Sequence, residues 1–433
     1  MTVTSDAVVI GAGVMGSATA LELARAGRSV TVVDKAGGPG FGSTSASSAI
    51  IRFTYSTLDG VILAWESYHR WLDWQHHLGL PNDEGLARFH RVGMLALDVP
   101  LMPLERIAPL LAQARVPFEV WDADEVERRV PGIDAGSHYP PKPVHSEEFL
   151  DDPAGRVGGV FTPDAGFIDD PRLAAANLAD AAAAAGAGFI YRRTVTGLQR
   201  TGGAWEVSLD DGTALRSPVV VNAAGPWSGA LNRMVGADAD FTIGQRMLRQ
   251  EVHLVRAPGS LGHDGVFPSV SDMDLGTYSR PAPGGYLLVG GTEPECDPME
   301  WLDDPDSAAP GATSAAFEAQ VLRAARRFPD LAIPLRPSGI AGVYDVSDDW
   351  IPIYDRTSLP GFYVAVGTSG NQFKNAPVVG EIMARIVEAC ERGHDHDAEP
   401  IQFDCRATGL RLDLATFSRK RERNPDSSGT VMG

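Results

Sequence analysis

The run Asp6-Ala-Val-Val-Ile10, then Gly11-Ala-Gly13-Val14-Met15-Gly16, then Ser17 to Ala26 at helical spacing, constrains this chain more than any other feature. An apolar strand, a glycine turn and a helix N-terminus in that order form the arrangement that holds a dinucleotide pyrophosphate. Gly11 permits the tight turn and Gly13 lets backbone approach phosphate. Gly16 lets the helix pack on its strand, with the free N–H groups of the first turn, at Val14 and Met15, facing the anion. A second strand, Ser29 to Val33, ends in Asp34. A carboxylate there suits a ribose hydroxyl pair and repels a 2′-phosphate, so an ADP-ribose carrier is favoured over NADP.

At 433 residues the chain is long enough for two domains, each with its own core. The formal charge of −19 argues against unspecific binding to nucleic acid or an anionic membrane, while leaving room for a locally basic pocket. Cys296, Cys390 and Cys405 have no CxxC spacing, so neither a disulfide framework nor a metal site is expected. The nucleotide strand starts too early to leave room for a signal peptide, and no apolar run reaches the length of a membrane span, so the expected location is cytoplasmic.

Gly37 to Ser48 reads as a flexible loop leading into Ala49-Ile-Ile-Arg52-Phe-Thr-Tyr55. Leu58 to Leu78 has helical periodicity, and its tryptophans, Trp65, Trp71 and Trp74, read as packing residues. Pro100 to Pro153 reads as an irregular, proline-punctuated excursion away from the nucleotide core. Alanine-rich Leu173 to Ala185 predicts a crossover helix. Val219 to Trp227 reads as a buried strand ending in small residues, and Gly361 to Val366 as a last buried strand. The region from Gln250 to Gly290 reads as β-rich. His394-Asp-His-Asp397 and Arg419-Lys-Arg-Glu-Arg423 read as solvated charge runs, with a tail-like composition after them.

Four separated segments carry a family resemblance: Gly11 to Asp34, Ile50-Ile-Arg52-Phe-Thr-Tyr55, Val220-Val-Asn-Ala223-Ala224-Gly225-Pro-Trp227, and Gly367-Thr-Ser-Gly370-Asn371-Gln372-Phe373-Lys374. Together they resemble the D-amino-acid-oxidase superfamily of FAD enzymes, within it the sarcosine oxidase and dimethylglycine dehydrogenase group. The resemblance implies an α/β fold: a Rossmann-like FAD-binding domain from residues 1–90, 150–240 and 335–395, beside a β-rich α+β substrate domain from 91–149 and 241–334. Residues 396–433 would form a C-terminal segment.

It also implies FAD contacts from the glycine turn, Asp34, Lys35, Ser43, Thr44, Ser45, Val195, the strand end Ala223 to Trp227, and Gly342. The flavin ring would lie along Gly370 to Lys374. Arg52 and Lys374 match the two cations that hold a substrate carboxylate in sarcosine-oxidase-like enzymes, with Tyr55 and Tyr278 lining the same pocket. The implied activity is oxidation of a carboxylated secondary or N-alkyl amine by hydride transfer to flavin N5, with oxygen or a quinone or flavoprotein carrier as electron acceptor. A 2-hydroxy-acid dehydrogenase and a non-catalytic flavin-binding assembly factor are the alternatives.

Two departures from the family pattern matter. Leu288 stands where oxidases of the group carry a lysine that helps oxygen react, which favours a dehydrogenase. Gly342-Val-Tyr-Asp345 lacks a tethering cysteine, and Ser43 to Ser48 lacks a tethering histidine, so FAD is expected to be non-covalent.

Overall fold

The strand Ala7–Ile10 is buried on both faces, and its alternating side chains serve two different cores. The computed structural model describes residues 2–81, 84–261 and 267–433. Ala7 and Val9 pack with the helices Val14–Arg25, Pro171–Ala184 and Ala376–Glu391. Val8 and Ile10 pack with Trp205, Val207 and Leu215 of a four-stranded sheet on the opposite side.

The strand sits inside a six-stranded sheet in the order Gly188–Tyr191, Val30–Asp34, Ala7–Ile10, Val219–Asn222, Phe362–Val366, Ile353–Arg356. All neighbours are parallel except the last pair. The chain leaves Ala7–Ile10 toward Val30–Asp34 on one side and returns on the other at Val219–Asn222. That change of direction opens a crevice beyond the strand ends, where parallel sheets place ligands.

The second sheet has nine strands, the longest being Gln245–Arg256, and the helix Ser314–Arg327 covers one face. Hydrogen bonding assigns Gly159–Thr162 and Gly339–Ser347 to this sheet, although the expected ranges 150–240 and 335–395 grouped them with the nucleotide unit. Leu104–Gln113 and Ala123–Arg129 are helices inside the stretch expected to be irregular. Pro109 does not break the first of them, whose apolar Ile107 and Leu111 are buried. The expected helix from Leu58 to Leu78 stops at Leu72, turns at Asp73 and restarts as Trp74–Leu78. Trp65, Trp71 and Trp74 are core residues, as their spacing implied.

The C-terminal segment departs most from its composition. Arg419 is completely buried and bridges Asp240 at 2.7 Å, Asp355 at 3.1 Å and Asp397 at 2.7 Å. His396 is buried beside Asp355. The solvated-run reading therefore fails at His396 and Arg419, while Asp397 stays exposed; a buried guanidinium needs carboxylates converging on it. No group of metal-ligating side chains forms among the described residues.

Arg419→Ala would leave Asp355 buried without its cation and should lower the unfolding free energy by about 3–5 kcal/mol in urea titrations. Lys420→Ala, on the same carboxylates but 45% exposed, should cost less than about 1 kcal/mol.

Candidate active site

The crevice at the strand ends encloses about 370 Å³. Gly11 adopts φ +106°, and a Cβ there would lie 2.4 Å from the carbonyl oxygen of Ala223. A Cβ on Gly16 would lie 1.9 Å from the Gly11 carbonyl oxygen. The turn is thus pressed against the neighbouring strand end in a way only glycine allows. Gly13 caps the following helix without a side chain, and the first N–H, that of Val14, donates to Thr44 Oγ1 at 3.1 Å. A side-chain oxygen occupies the position suited to a phosphate oxygen.

Asp34 closes the far side, its carboxylate accepting from the backbone N–H of Ala12 at 2.6 Å and of Ala36 at 2.7 Å. Met15, Lys35, Ser43, Val195, Ala223, Ala224, Gly225 and Trp227 also line the crevice. At its mouth Lys35 lies over the Trp227 ring, 4.0 Å from the centroid, and pairs with Asp306. Gly16 and Ser45 are structural neighbours rather than lining. Gly342 likewise faces Ala46, whose Cβ a side chain at 342 would meet at 2.7 Å. A glycine cradle, a helix N-terminus and a carboxylate at the second strand end fit an extended dinucleotide.

A smaller cavity of about 50 Å³ adjoins the first, sharing Ser47, Tyr344, Gly370 and Phe373. Arg52, Tyr278, Asn371 and Lys374 line it. The loop Gly367 to Lys374 is fixed from several sides. Asp345 accepts from the Thr368 hydroxyl and N–H at 2.5 and 3.1 Å. Gly370, at φ +67°, lies under the Tyr344 ring, where a Cβ would come within 2.4 Å. Phe373 stacks on Trp71 at 5.5 Å, and Trp71 Nε1 donates to the Lys374 carbonyl at 2.7 Å. Gln372 Oε1 accepts from the Tyr354 hydroxyl and from Asn375.

Arg52 and Lys374 are only 4% and 3% exposed, and neither meets a carboxylate among the described residues. Arg52 donates to the carbonyls of Thr54 and Val431. Lys374 Nζ donates to the Asn371 carbonyl at 2.5 Å and the Tyr55 hydroxyl at 2.9 Å. Tyr55 Oη in turn donates to Asn371 O at 3.0 Å. Burial lowers the pKa of both cations, and the Arg52 charge lowers Lys374 further. Tyr278 hydrogen-bonds Ser48 at 2.5 Å, and burial raises its pKa to about 12.

Tyr278 and Arg280 share one strand face with Leu288, which is the direct cross-strand partner of Arg280. The Arg280 guanidinium is engaged by the carbonyls of Ser48 and Pro281 and by the Phe167 ring.

Sequence reasoning missed Tyr344, Ser48, Glu293 and the segment Ser428 to Gly433. Tyr344 looks like any strand tyrosine, and Glu293 follows a Gly-Gly-Thr run with no motif around it. Glu293 is buried at φ +50°, and burial raises its pKa to about 8. Its Oε2 accepts from the Val431 N–H at 2.7 Å, while Oε1 has no partner among the described residues. The tail-like composition after Arg423 concealed the burial of Ser428, Val431 and Met432, the last two of which line the smaller cavity.

The chain belongs to the FAD-dependent oxidoreductase family, whose model matches residues 6–386. It is 25% identical to glycine oxidase of Geobacillus kaustophilus (strain HTA426) over 399 residues, 91% of this chain and 96% of that one. It is 26% identical to peroxisomal sarcosine oxidase of Homo sapiens over 395 residues, 88% and 91% of the two chains. The solved structure of L-proline dehydrogenase from P. horikoshii shares the fold, with a TM-score of 0.75 over 97% of this chain and 98% of that one at 21% identity. The resemblance to the sarcosine oxidase group is therefore upheld, with oxidases and a dehydrogenase both among the similar proteins. No helix among the described residues is long and apolar enough to cross a membrane.

Glu293 titrates near 8 in the native state against 4.5 for an ordinary glutamate, so between these values the folded chain holds a proton that the unfolded chain has released. Its contribution is intact below pH 4.5 and is lost as pH rises toward 8. The melting temperature of Glu293→Gln minus that of the unmodified protein should rise across this window and level off above it. A pH-independent difference would contradict the burial of this carboxyl.

Proposed function

We propose that the protein oxidises a small carboxylated secondary or N-alkyl amine, using non-covalent FAD and passing electrons to an acceptor other than oxygen. One observation carries the substrate class: two buried cations face one cavity with no carboxylate of the described residues between them. A buried charge is costly unless paired, and a ligand carboxylate completes this pair. Arg52 offers a bidentate fork and Lys374 a point charge, so together they fix the carboxylate and hence the adjoining carbon. Tyr55 orients Lys374 through its hydroxyl.

Bound in the larger crevice, FAD supplies the two-electron acceptor. The substrate C–H bond next to nitrogen breaks with its electron pair leaving with hydrogen; the resulting iminium loses a proton or takes up water and hydrolyses to a carbonyl and an amine. Hydrogen-bond donors of the loop Gly370 to Lys374, beside the junction of the two cavities, favour negative charge there. A hydroxy-acid substrate would call for a base such as histidine, and no histidine among the described residues lines either cavity. A scaffold without turnover would keep two unpaired buried cations to no purpose.

Anaerobic mixing of the yellow holoprotein with N-methyl and cyclic amino acids should bleach the flavin. Failure of every carboxylated amine to do so would end this reading. Arg52→Met should raise the half-saturating concentration by on the order of 30-fold or more, since a buried charge-assisted contact is worth about 2–5 kcal/mol, with FAD retained. Lys374→Met should act in the same direction. Normal kinetics in both would remove the carboxylate clamp.

Acid precipitation should leave the polypeptide colourless and all FAD in the supernatant, because Gly342 provides no thiol. The family resemblance aligns Leu288 with the lysine that helps oxygen react, leaving an apolar side chain at that position, and its cross-strand partner Arg280 is committed to carbonyls. Stopped-flow reoxidation of reduced enzyme by oxygen should be much slower than by a quinone dye, and Leu288→Lys should speed the oxygen reaction. Oxygen reoxidation as fast as turnover would make the protein an oxidase.

A further inference from the structure

Val431 lies between two charged or ionisable groups that its own backbone joins. Its N–H donates to Glu293 Oε2 at 2.7 Å and its carbonyl accepts from Arg52 Nη2 at 2.8 Å. The atoms involved are N, Cα, C and O of one residue, the frame that also links the amine and the carboxylate of a free α-amino acid. We propose that Arg52 and Glu293 form a two-ended seat for an α-amino acid, Arg52 taking the carboxylate and Glu293 the amino group, and that Val431 of the C-terminal segment occupies that seat until substrate displaces it.

The proposal rests on the carboxylated-amine reading for its ligand class, but on separate residues for its geometry. Glu293 is 7% exposed, and its second oxygen, Oε1, is buried without a partner. A backbone N–H uses one acceptor position of a group that could receive a second N–H from an amine. The peptide also brings no charge, so the Arg52 and Lys374 cations stay uncompensated while Val431 is in place. A ligand carrying a carboxylate for Arg52 and an ammonium for Glu293 compensates the cation and favours the ionised carboxyl, which a backbone amide cannot do. The high pKa of Glu293, about 8, is that of a carboxyl without a cation, and an arriving ammonium would draw it down.

The segment is held in a way that permits exchange. Met432 Sδ accepts a single hydrogen bond, from Ser271 Oγ at 3.4 Å, and Ser428 and Thr430 bond to each other rather than to the cavity walls. Its firm anchors lie earlier, at Arg419 and at Arg421, which pairs with Asp349 at 2.7 Å. Asn424, on Ser56 at 3.0 Å, and Asp426, on Arg106 at 3.3 Å, are the last anchors, so residues 428–433 can swing out while these stay.

The test uses full-length holoprotein and two probes of matching shape, 2-methylalanine and pivalate, which share a quaternary carbon and a carboxylate. Neither has hydrogen on the α-carbon, so calorimetry reads binding without turnover. Val431→Pro removes the N–H given to Glu293 and should tighten 2-methylalanine at least threefold. A chain ending at Ser427 should bind both probes at least tenfold tighter. Glu293→Gln should weaken 2-methylalanine at least tenfold and pivalate less than twofold.

Trypsin should cleave after Arg423 faster when 2-methylalanine saturates the protein. Unchanged affinities in both tail variants, with FAD and melting temperature retained, would overturn the displacement. Equal weakening of both probes by Glu293→Gln would overturn the amine seat. Failure of the amine-oxidation reading would show instead as amines that bind but never bleach the flavin.

Discussion

The architecture depends on the close approach of the Gly11–Gly16 turn to the end of the strand Val219–Asn222. With the Gly11 Cα facing the Ala223 carbonyl, and Gly16 over the Gly11 carbonyl, the first helix can pack directly on the sheet and present its N-terminal N–H groups to the crevice. Any Cβ at either position would force the strand ends apart. The crevice, the placement of Thr44 on Val14 N–H and the reach of the Gly367 to Lys374 loop all follow from this one contact. The same loop then carries the geometry into the smaller cavity, since its backbone is pinned by Asp345 on one side and Trp71 on the other.

The chemistry depends on a second constraint, the burial of positive charge. Arg52 and Lys374 are met by carbonyls, by the Thr54 and Tyr55 hydroxyls and by the Tyr55 ring, and burial lowers the pKa of both. Neutral acceptors soften the penalty of burial without removing it, so the empty-handed state is poised to gain from an anion. Glu293 is the complement: a carboxyl in the same region, kept protonated up to about pH 8 by the lack of a cation. The backbone of one neutral residue, Val431, joins the Arg52 cation to the uncharged Glu293 carboxyl, giving its N–H to Glu293 and its carbonyl to Arg52.

What could be read in advance was what obeys local rules. The strand–turn–helix start, the crossover helix after Asp170 and the buried strand Phe362–Val366 are specified by periodicity, a capping carboxylate and a run of apolar residues. Arg52 and Lys374 could be found because each follows a recognisable segment. The helices at Leu104–Gln113 and Ala123–Arg129 were hidden by surrounding prolines, though the second has an Asp122 cap whose carboxylate accepts from the Glu125 N–H. Membership of Gly159–Thr162 and Gly339–Ser347 in the second sheet depends on pairing with strands far away in sequence, which no local pattern encodes.

The tail failed for a different reason. Arg419 to Gly433 is polar and rich in small residues, a composition that cannot bury enough apolar surface to order itself. It is ordered because Asp240, Asp355 and Asp397 supply a ready anionic socket for Arg419, and Asp349 another for Arg421. Tertiary charge pairing thus does for this segment what hydrophobic periodicity does for the helices. Once Arg421 is fixed, Asn424 bonds Ser56 and Asp349, and Val431 and Met432 bury themselves in the core, which brings the end of the segment to Arg52 and Glu293.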